Sequence, residues 1–469
     1  MILKKNLSEN KTILDGLLPI GKSGDLLFRY FNFGGRCAML YYIDGFLNDV
    51  CMERMVDRLY RITPEEIEKT QDLSDFVHKF ITYTEVDVYQ QTDDVVTELM
   101  SGKSVFLVDG LAGAIVIDLR DYPARGVEEP EKERVMRGSR DGFVETLIFN
   151  TALIRRRLRD PKLIVELVKV GERSKTDVAI VYVEDLVKQE ELAIIREKIK
   201  NTKVSSLTLN MQSLTECFIK KNWYNPCPKV RFTERPDSAT AAILEGNIIV
   251  LVDNAPQAMI LPTSIMDFME EPNDYYYPPL IGSYLRVVRN LVFIATFLLS
   301  PLWILALEYM DKLPEALGFL QVSSEPYVPI ILQLLLLEGA IDVLRLASVN
   351  TPNMLGNSLS IIGALLLGDF AVKSGWLVPD TILYMSFIAI ASFTQPSIEL
   401  GYAFKFMRII LLLLTYFFDI WGFVGGLVLT VIFIATNKTV TGKGYLYPLI
   451  PFNWKALKAH IYRHKLKSE

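Results

Sequence analysis

The feature that most constrains this chain is the uneven placement of its apolar residues. About 280 mostly polar residues precede a C-terminal third in which apolar runs of bilayer-crossing length follow one another. The first run, residues 291–310 (LVFIATFLLSPLWILALEYM), has a single ionisable residue, Glu308, near its far end. A stretch of roughly 20 such residues is long enough to span the hydrocarbon core, so membrane insertion is the expected fate of this third. The whole-chain hydrophobic fraction of 50% hides this, because a polar and an apolar regime average out.

The first residues, MILKKNLSENKTILDG, contain no apolar stretch of signal-peptide length and no small-residue cleavage site, so the polar head is expected to stay in the cytoplasm. Arg286 and Arg289 precede the first run, and the tail carries Lys455, Lys458, Arg463, Lys465 and Lys467. The positive-inside bias therefore places both flanks on the cytoplasmic side and predicts an even number of crossings. Cys37, Cys51, Cys217 and Cys227 show no close paired spacing and are expected to be reduced, buried thiols. A net charge of −5 gives no basic footprint for nucleic acid.

Within the head, residues 102–109 (GKSVFLVD) and 246–253 (GNIIVLVD) share a Gly, a β-branched apolar run and Leu-Val-Asp at the same offset. Each is followed by a second strand-like run, 114–119 and 258–261, so the pattern predicts two related α/β subdomains built on this hairpin. Residues 145–159 have helical periodicity with Leu147, Ile154 and Leu158 on one face, and 178–183 read as a strand. The Pro-punctuated 223–228 (WYNPCP) reads as a loop between subdomains. Residues 270–279 (EEPNDYYYPP) close the head, their tyrosines suited to a headgroup layer. The expected divisions are 1–140, 141–280, a helical transmembrane domain at 281–440 and a basic tail at 441–469.

Residues 16–23 (GLLPIGKS) satisfy the phosphate-loop pattern G-x-x-x-x-G-K-S. That loop must follow a buried strand, whereas LSENK precedes this one and Leu, Leu, Pro and Ile fill it, so no nucleotide is expected to bind. Histidine occurs only at His78, His460 and His464, which leaves almost no material for a His-based metal site or triad, and no G-x-S-x-G elbow is present. The chain is read as a non-enzyme without cofactor, catalytic or metal site.

In the apolar third, residues 328–337 continue into an amphipathic pattern with Glu338, Asp342 and Arg345 spaced to share one helical face. Charges at membrane depth are costly unless they pair or face water, so this stripe either lines an aqueous path or belongs to an in-plane helix. Residues 354–372 are apolar apart from Asn357, two serines and Asp369, with Lys373 four residues after the latter. The short run 382–393 is stopped by Pro396 and Glu399, the signature of a broken or re-entrant helix. Residues 409–436 are interrupted by Asp419, Gly422, Gly425 and Gly426, which suits one kinked span or a tight hairpin. The fold expected is thus an α/β soluble head of two related subdomains and an α-helical transmembrane domain of four to six spans, some broken or re-entrant.

Several segments taken together resemble the A subunits of spore-germination receptors, the GerA family. In the head these are 129–130 (EP), 137–145 (RGSRDGFVE), 150–157 (NTALIRRR) and 233–237 (TERPD). Farther on they are 274–276 (DYY), Arg286 with Arg289, 360–364 (SIIGA) and 391–397 (ASFTQPS). Within the family, 20–23 (IGKS), 42–46 (YIDGF), 341–348 (IDVLRLAS), 368–375 (GDFAVKSG) and 451–455 (PFNWK) are most like a sporulation-protein subtype rather than a nutrient receptor subunit. The resemblance implies residence in the inner membrane of an endospore, self-association into a ring that conducts ions during germination, and a small membrane partner subunit. Arg137, Glu145, Arg155, Arg157 and Arg235 would then belong to the segment through which the head assembles. Glu338, Asp342, Arg345, Asp369, Lys373, Pro396 and Glu399 would lie on the ion path, and two acids to one base on the α-helical stripe would favour monovalent cations. The alternative is a non-conducting scaffold or sensor that recruits partners through the head.

Overall fold

The computed structural model describes residues 1–122, 138–219, 225–350 and 371–462. Two compact units divide the chain, Met1–Lys221 with Val230–Pro262, and Asn222–Lys229 with Thr263–Glu469. Residues 263–280 thus belong to the second unit. Arg137, Asp369, the 129–130 and 360–364 segments, the run 354–370 and the end of the tail lie outside the described residues.

In the first unit the two Leu-Val-Asp stretches form β4 (Ser104–Val108) and β9 (Ile248–Val252), each buried at every residue. Strands of five residues with both sides covered need helices on both faces, and in β4 the alternation sorts them. Phe106 and Val108 join a core with Met52, Met55, Leu59 and Phe76, whereas Val105 and Leu107 join another with Leu7, Leu14, Val95 and Leu99. The first sheet comprises β1 (Leu26–Phe33), β2 (Arg36–Ile43), β3 (Val86–Tyr89), β4 and β5 (Ala114–Ile117). The second comprises β6 (Leu163–Val170), β7 (Thr176–Val183), β8 (Arg231–Thr233), β9 and β10 (Ala258–Leu261). Their orders, β1-β2-β4-β5-β3 and β6-β7-β9-β10-β8, are the same topology, antiparallel throughout.

The first sheet carries α1 (Leu7–Leu17), α2 (Asp49–Tyr60), α3 (Pro64–Glu68), α4 (Leu73–Phe80) and α5 (Thr92–Met100). The second carries α6 (Leu147–Arg157), α7 (Gln189–Lys200), α8 (Asn210–Phe218) and α9 (Pro236–Leu244). The aspartate ending each motif explains its recurrence. Asp109 Oδ1 accepts from the Leu7 amide at 3.0 Å, and Asp253 Oδ1 from the Leu147 amide at 3.2 Å, so each satisfies an orphan N–H at the start of a helix. Buried Asn10 and Asn150, three residues on, each bond both ways with a backbone six residues earlier, at Lys4 and Val144. The Leu3 amide reaches Gln90 O at 2.9 Å and the Phe143 amide reaches Glu234 O at 2.8 Å. Gly102 and Gly246 hold φ of 99° and 88° where each chain turns from helix into central strand.

The phosphate-loop pattern runs from the end of α1 into the turn that precedes β1, the reverse of strand, loop and helix. Its Lys22 pairs with Glu184, and its Ser23 accepts from the Val165 amide at 2.9 Å, joining the two sheets. Beside it the Arg155 guanidinium is bidentate on Asp25, Nε to Oδ2 at 2.7 Å and Nη2 to Oδ1 at 3.1 Å, with both residues buried. The segment 225–228, expected as a loop between subdomains, is instead part of the second unit. Tyr445 Oη donates to Pro228 O at 2.7 Å, and Cys227 packs with Phe268 and Tyr445, because an apolar thiol and two prolines suit a core better than a solvated linker.

The second unit contains α10 (Asn273–Tyr276), α11 (Pro279–Glu308), α12 (Ile330–Asn350), α13 (Pro379–Ser392), α14 (Ile398–Ala435) and α15 (Trp454–Ile461). Among the described residues, α11 and α14 are long and apolar enough to cross a membrane. Leu291, Ile294, Leu302, Phe417, Trp421 and Val431 on them are exposed, an apolar surface that water does not favour. The interruption at Asp419 is a hairpin. Residues 411 and 426 would stand about 22 Å apart in a continuous helix, yet a Cβ on Gly426 would lie 3.4 Å from Leu411 Cα. Asp419, at φ 52° and ψ −134°, makes the reversal. Gly422 permits the arms to close, since a Cβ there would lie 1.9 Å from Leu414 O, while Gly425 faces open space.

Gly422→Ala should therefore destabilise the hairpin by about 1–3 kcal/mol or more through overpacking. Gly425→Ala should be neutral or stabilise by about 0.5–1 kcal/mol through helix propensity. Thermal unfolding of the purified full-length protein in detergent checks the contrast.

Candidate functional site

Glu338 and Asp342 stand one turn apart on α12, a helix otherwise rich in Ile and Leu. Both must find cations or water, because an uncompensated carboxylate among apolar helices costs several kcal/mol. Their partners come from the first half of α14, where Lys405 and Arg408 lie three residues apart and so share a face. Arg408 presents Nε at 2.9 Å and Nη2 at 2.5 Å to Glu338 Oε1, and its Nη1 donates to Thr296 O of α11 at 2.8 Å. One guanidinium thereby ties three helices, a geometry that the planar fork of Arg allows. The Lys405 ammonium lies 2.6 Å from Asp342 Oδ2 and 3.3 Å from Glu338 Oε2, and donates to Glu338 O at 2.9 Å. Glu338 and Arg408 are buried, whereas the Asp342 side chain keeps 34% of its surface exposed.

Arg345, one turn farther along α12, donates to Ser392 Oγ at 3.0 Å and lies over the rings of Phe393 and Tyr402, 5.1 and 5.4 Å from their centroids. The stripe expected from sequence is thus gathered onto one side of α12. Its charge balance differs from the expectation, because Lys405 and Arg408 turn two acids and one base into two acids and three bases. Pro396 sits in the exposed break between α13 and α14, and Ser397 caps α14 by accepting from the Leu400 amide at 3.2 Å. Glu399 is exposed in the first turn of α14, and Lys373 is exposed at the end of the short helix Ala371–Lys373.

A second buried ionic group anchors the start of α11. Asp274 of α10, fully buried, receives Arg289 Nη1 at 2.7 Å and Nη2 at 2.8 Å, with Arg286 Nε at 3.3 Å. Arg286 and Arg289, which precede the first apolar run, are both buried against this carboxylate, because α10 supplies it within reach. In the first unit, Arg155 binds Asp25 as described. Arg157 Nη2 bonds Asp141 at 2.5–2.6 Å, and buried Arg235 is bidentate on Asp237 at 2.6 and 3.0 Å and reaches Ser139 O. Glu145 is exposed, and its backbone carbonyl accepts from Asn254.

No group of His, Cys, Asp and Glu arranged to hold a metal occurs among the described residues. The sequence reading missed Lys405, Arg408 and Asp274. The first two were legible as an i, i+3 basic pair entering an apolar run, complementary to the i, i+4 acids of α12.

The arrangement defines a class of protein, a duplicated antiparallel α/β unit followed by apolar helices that enclose ion pairs. Residues 18–469 match the family of the Bacillus/Clostridium GerA spore germination protein, and the chain belongs to that family. It is 37% identical to Stage V sporulation protein AF of Bacillus subtilis (strain 168) over 97% of this chain and 91% of that protein. Identity to Spore germination protein KA of the same organism is 26%, over 98% and 84%. A membrane protein of that organism, YfkQ, is 29% identical over 97% and 88%. A crystal structure of the N-terminal domain of the A subunit of the Bacillus megaterium spore germinant receptor GerK3 aligns at 26% identity and a TM-score of 0.43, covering 55% of this chain and 96% of that one. Apart from YfkQ, these relatives are named as sporulation or spore germination proteins.

The cysteines divide by environment. Cys37 and Cys217 are exposed, against expectation, because each sits on an outward-facing position of its element, while Cys227 is buried. Burial pushes the Cys227 thiol up to about 11, so only about a thousandth of it is thiolate at pH 8. Iodoacetamide at pH 8 should label Cys37 rapidly and leave Cys227 unmodified until the protein is unfolded, which peptide mass mapping reads directly.

Proposed function

We propose that this protein is a membrane-embedded subunit of the spore germination apparatus that self-associates into a ring and passes monovalent cations along the charged face of α12. The observation that carries the reading is the gathering of Glu338, Asp342, Arg345, Lys405 and Arg408 within helices that are otherwise apolar. Ionisable groups at membrane depth are expensive to keep and are found where ions, protons or substrates pass. Net charge does not supply a preference for cations here. What supports it is the pair of carboxylates, whose oxygens already hold an ammonium. The exposed apolar surfaces of α11 and α14 would meet lipid and neighbouring copies. A small membrane partner subunit and residence in the endospore inner membrane, with head and tail facing the spore core, complete the reading. The first unit would serve assembly and gating.

One observation favours a non-conducting scaffold as the second reading. Glu338 is paired from two sides, as a purely structural clamp between helices requires.

Ion flux through purified protein in liposomes, alone and with candidate partner subunits, separates the two. Asp342→Asn and Glu338→Gln should change monovalent-cation flux by about tenfold, equivalent to 1.4 kcal/mol, at equal incorporation. Absence of flux in every combination would leave the scaffold as the better account.

A further inference from the structure

The two cations of the cluster are held in different ways. Arg408 is fixed between helices, with its guanidinium divided between Glu338 on α12 and Thr296 O on α11. The Lys405 ammonium instead rests on oxygens of α12 alone: Asp342 Oδ2 at 2.6 Å, Glu338 O at 2.9 Å and Glu338 Oε2 at 3.3 Å. Two carboxylate oxygens and one carbonyl oxygen thus converge on one point. Oxygens of both kinds replace the hydration shell of a monovalent cation in selectivity filters, and potassium is close to ammonium in size. Lys is a compact point charge on a flexible four-carbon stem, so its ammonium can leave this point without breaking the Arg408 link. The Asp342 side chain, about a third exposed, gives water and ions a way in.

We propose that Glu338 and Asp342 form a monovalent-cation site whose resident occupant is the tethered ammonium of Lys405. The site rests on the proposed ion path for its role: an ion that displaces Lys405 enters the path, and Lys405 in place closes it. Arg408 keeps Glu338 neutralised in both states through the other carboxylate oxygen. Arg345, one turn away and engaged with Ser392 and two aromatic rings, does not occupy the point.

The test uses full-length protein in detergent and rubidium as the probe, with choline at equal ionic strength as the control. Wild type should show no saturable rubidium binding. Lys405→Met should bind a single rubidium ion per chain, and adding Asp342→Asn should weaken that binding by at least about tenfold. Failure of Lys405→Met to bind, or binding indifferent to Asp342→Asn, overturns the proposal. Should Lys405→Met misfold, it and Lys405→Ala are purified in rubidium and in choline. Folding restored by rubidium alone supports the site, and misfolding in both salts overturns it, since a true site would be refilled by the ion. The same Lys405→Met protein in liposomes should leak cations. Binding without leak would keep the site and sink the ion-path reading, so the two failures are distinguishable.

Discussion

A carboxylate pair on an apolar helix has to be neutralised, and the second unit is built around how that is done. Glu338 and Asp342 draw Lys405 and Arg408 of α14 onto α12, and Arg408 extends the link to the backbone of α11. Replacing such a cluster with apolar residues would cost little or even stabilise, whereas removing one member leaves a buried charge unpaired. Its presence therefore points to use rather than to stability. The Asp274 pair with Arg286 and Arg289 sets the entry of α11 by the same logic.

The first unit is organised by repetition of a small device. A glycine at positive φ turns the chain from helix into a fully buried strand, and the aspartate at the end of that strand caps the helix that opens the subdomain. Because the cap closes a contact more than a hundred residues long in sequence, it ties the first helix of each subdomain to its central hairpin. The Arg155–Asp25 pair then fixes one copy against the other, assisted by Ser23 between β1 and β6. Arg155, Arg157 and Arg235 are thus committed to internal contacts, whereas Glu145 is exposed.

Much of this was legible in the sequence where a local rule has one outcome. The paired Leu-Val-Asp stretches point to two hairpins, and 16–23, which follows a polar run, leads from the end of α1 toward β1 rather than from a strand into a helix. The hairpin at Asp419 was one of two options, and the approaches of Gly426 to Leu411 and of Gly422 to Leu414 decide between them. The ion cluster was half legible. A helical wheel places Glu338, Asp342 and Arg345 on one face of α12 and Lys405 with Arg408 on one face of α14, but a rule that looks only three or four residues away cannot say that the two faces meet. The same limitation hid Asp274 from the arginines of α11. The placement of 225–229 in the second unit follows from tertiary packing of Cys227 and Pro228 against Tyr445, which no local pattern encodes.

In the proposed reading the charged face of α12 lines an aqueous path. This is tested most directly by placing single cysteines at 336, 338, 341, 342, 343 and 345 in a cysteine-free background and measuring their reaction with a charged, water-soluble thiol reagent in intact membranes. Positions 338, 342 and 345 should react, while 336 and 343, exposed on other faces, should be protected by lipid. Protection of 338, 342 and 345 alike, or reactivity without helical period, would contradict it.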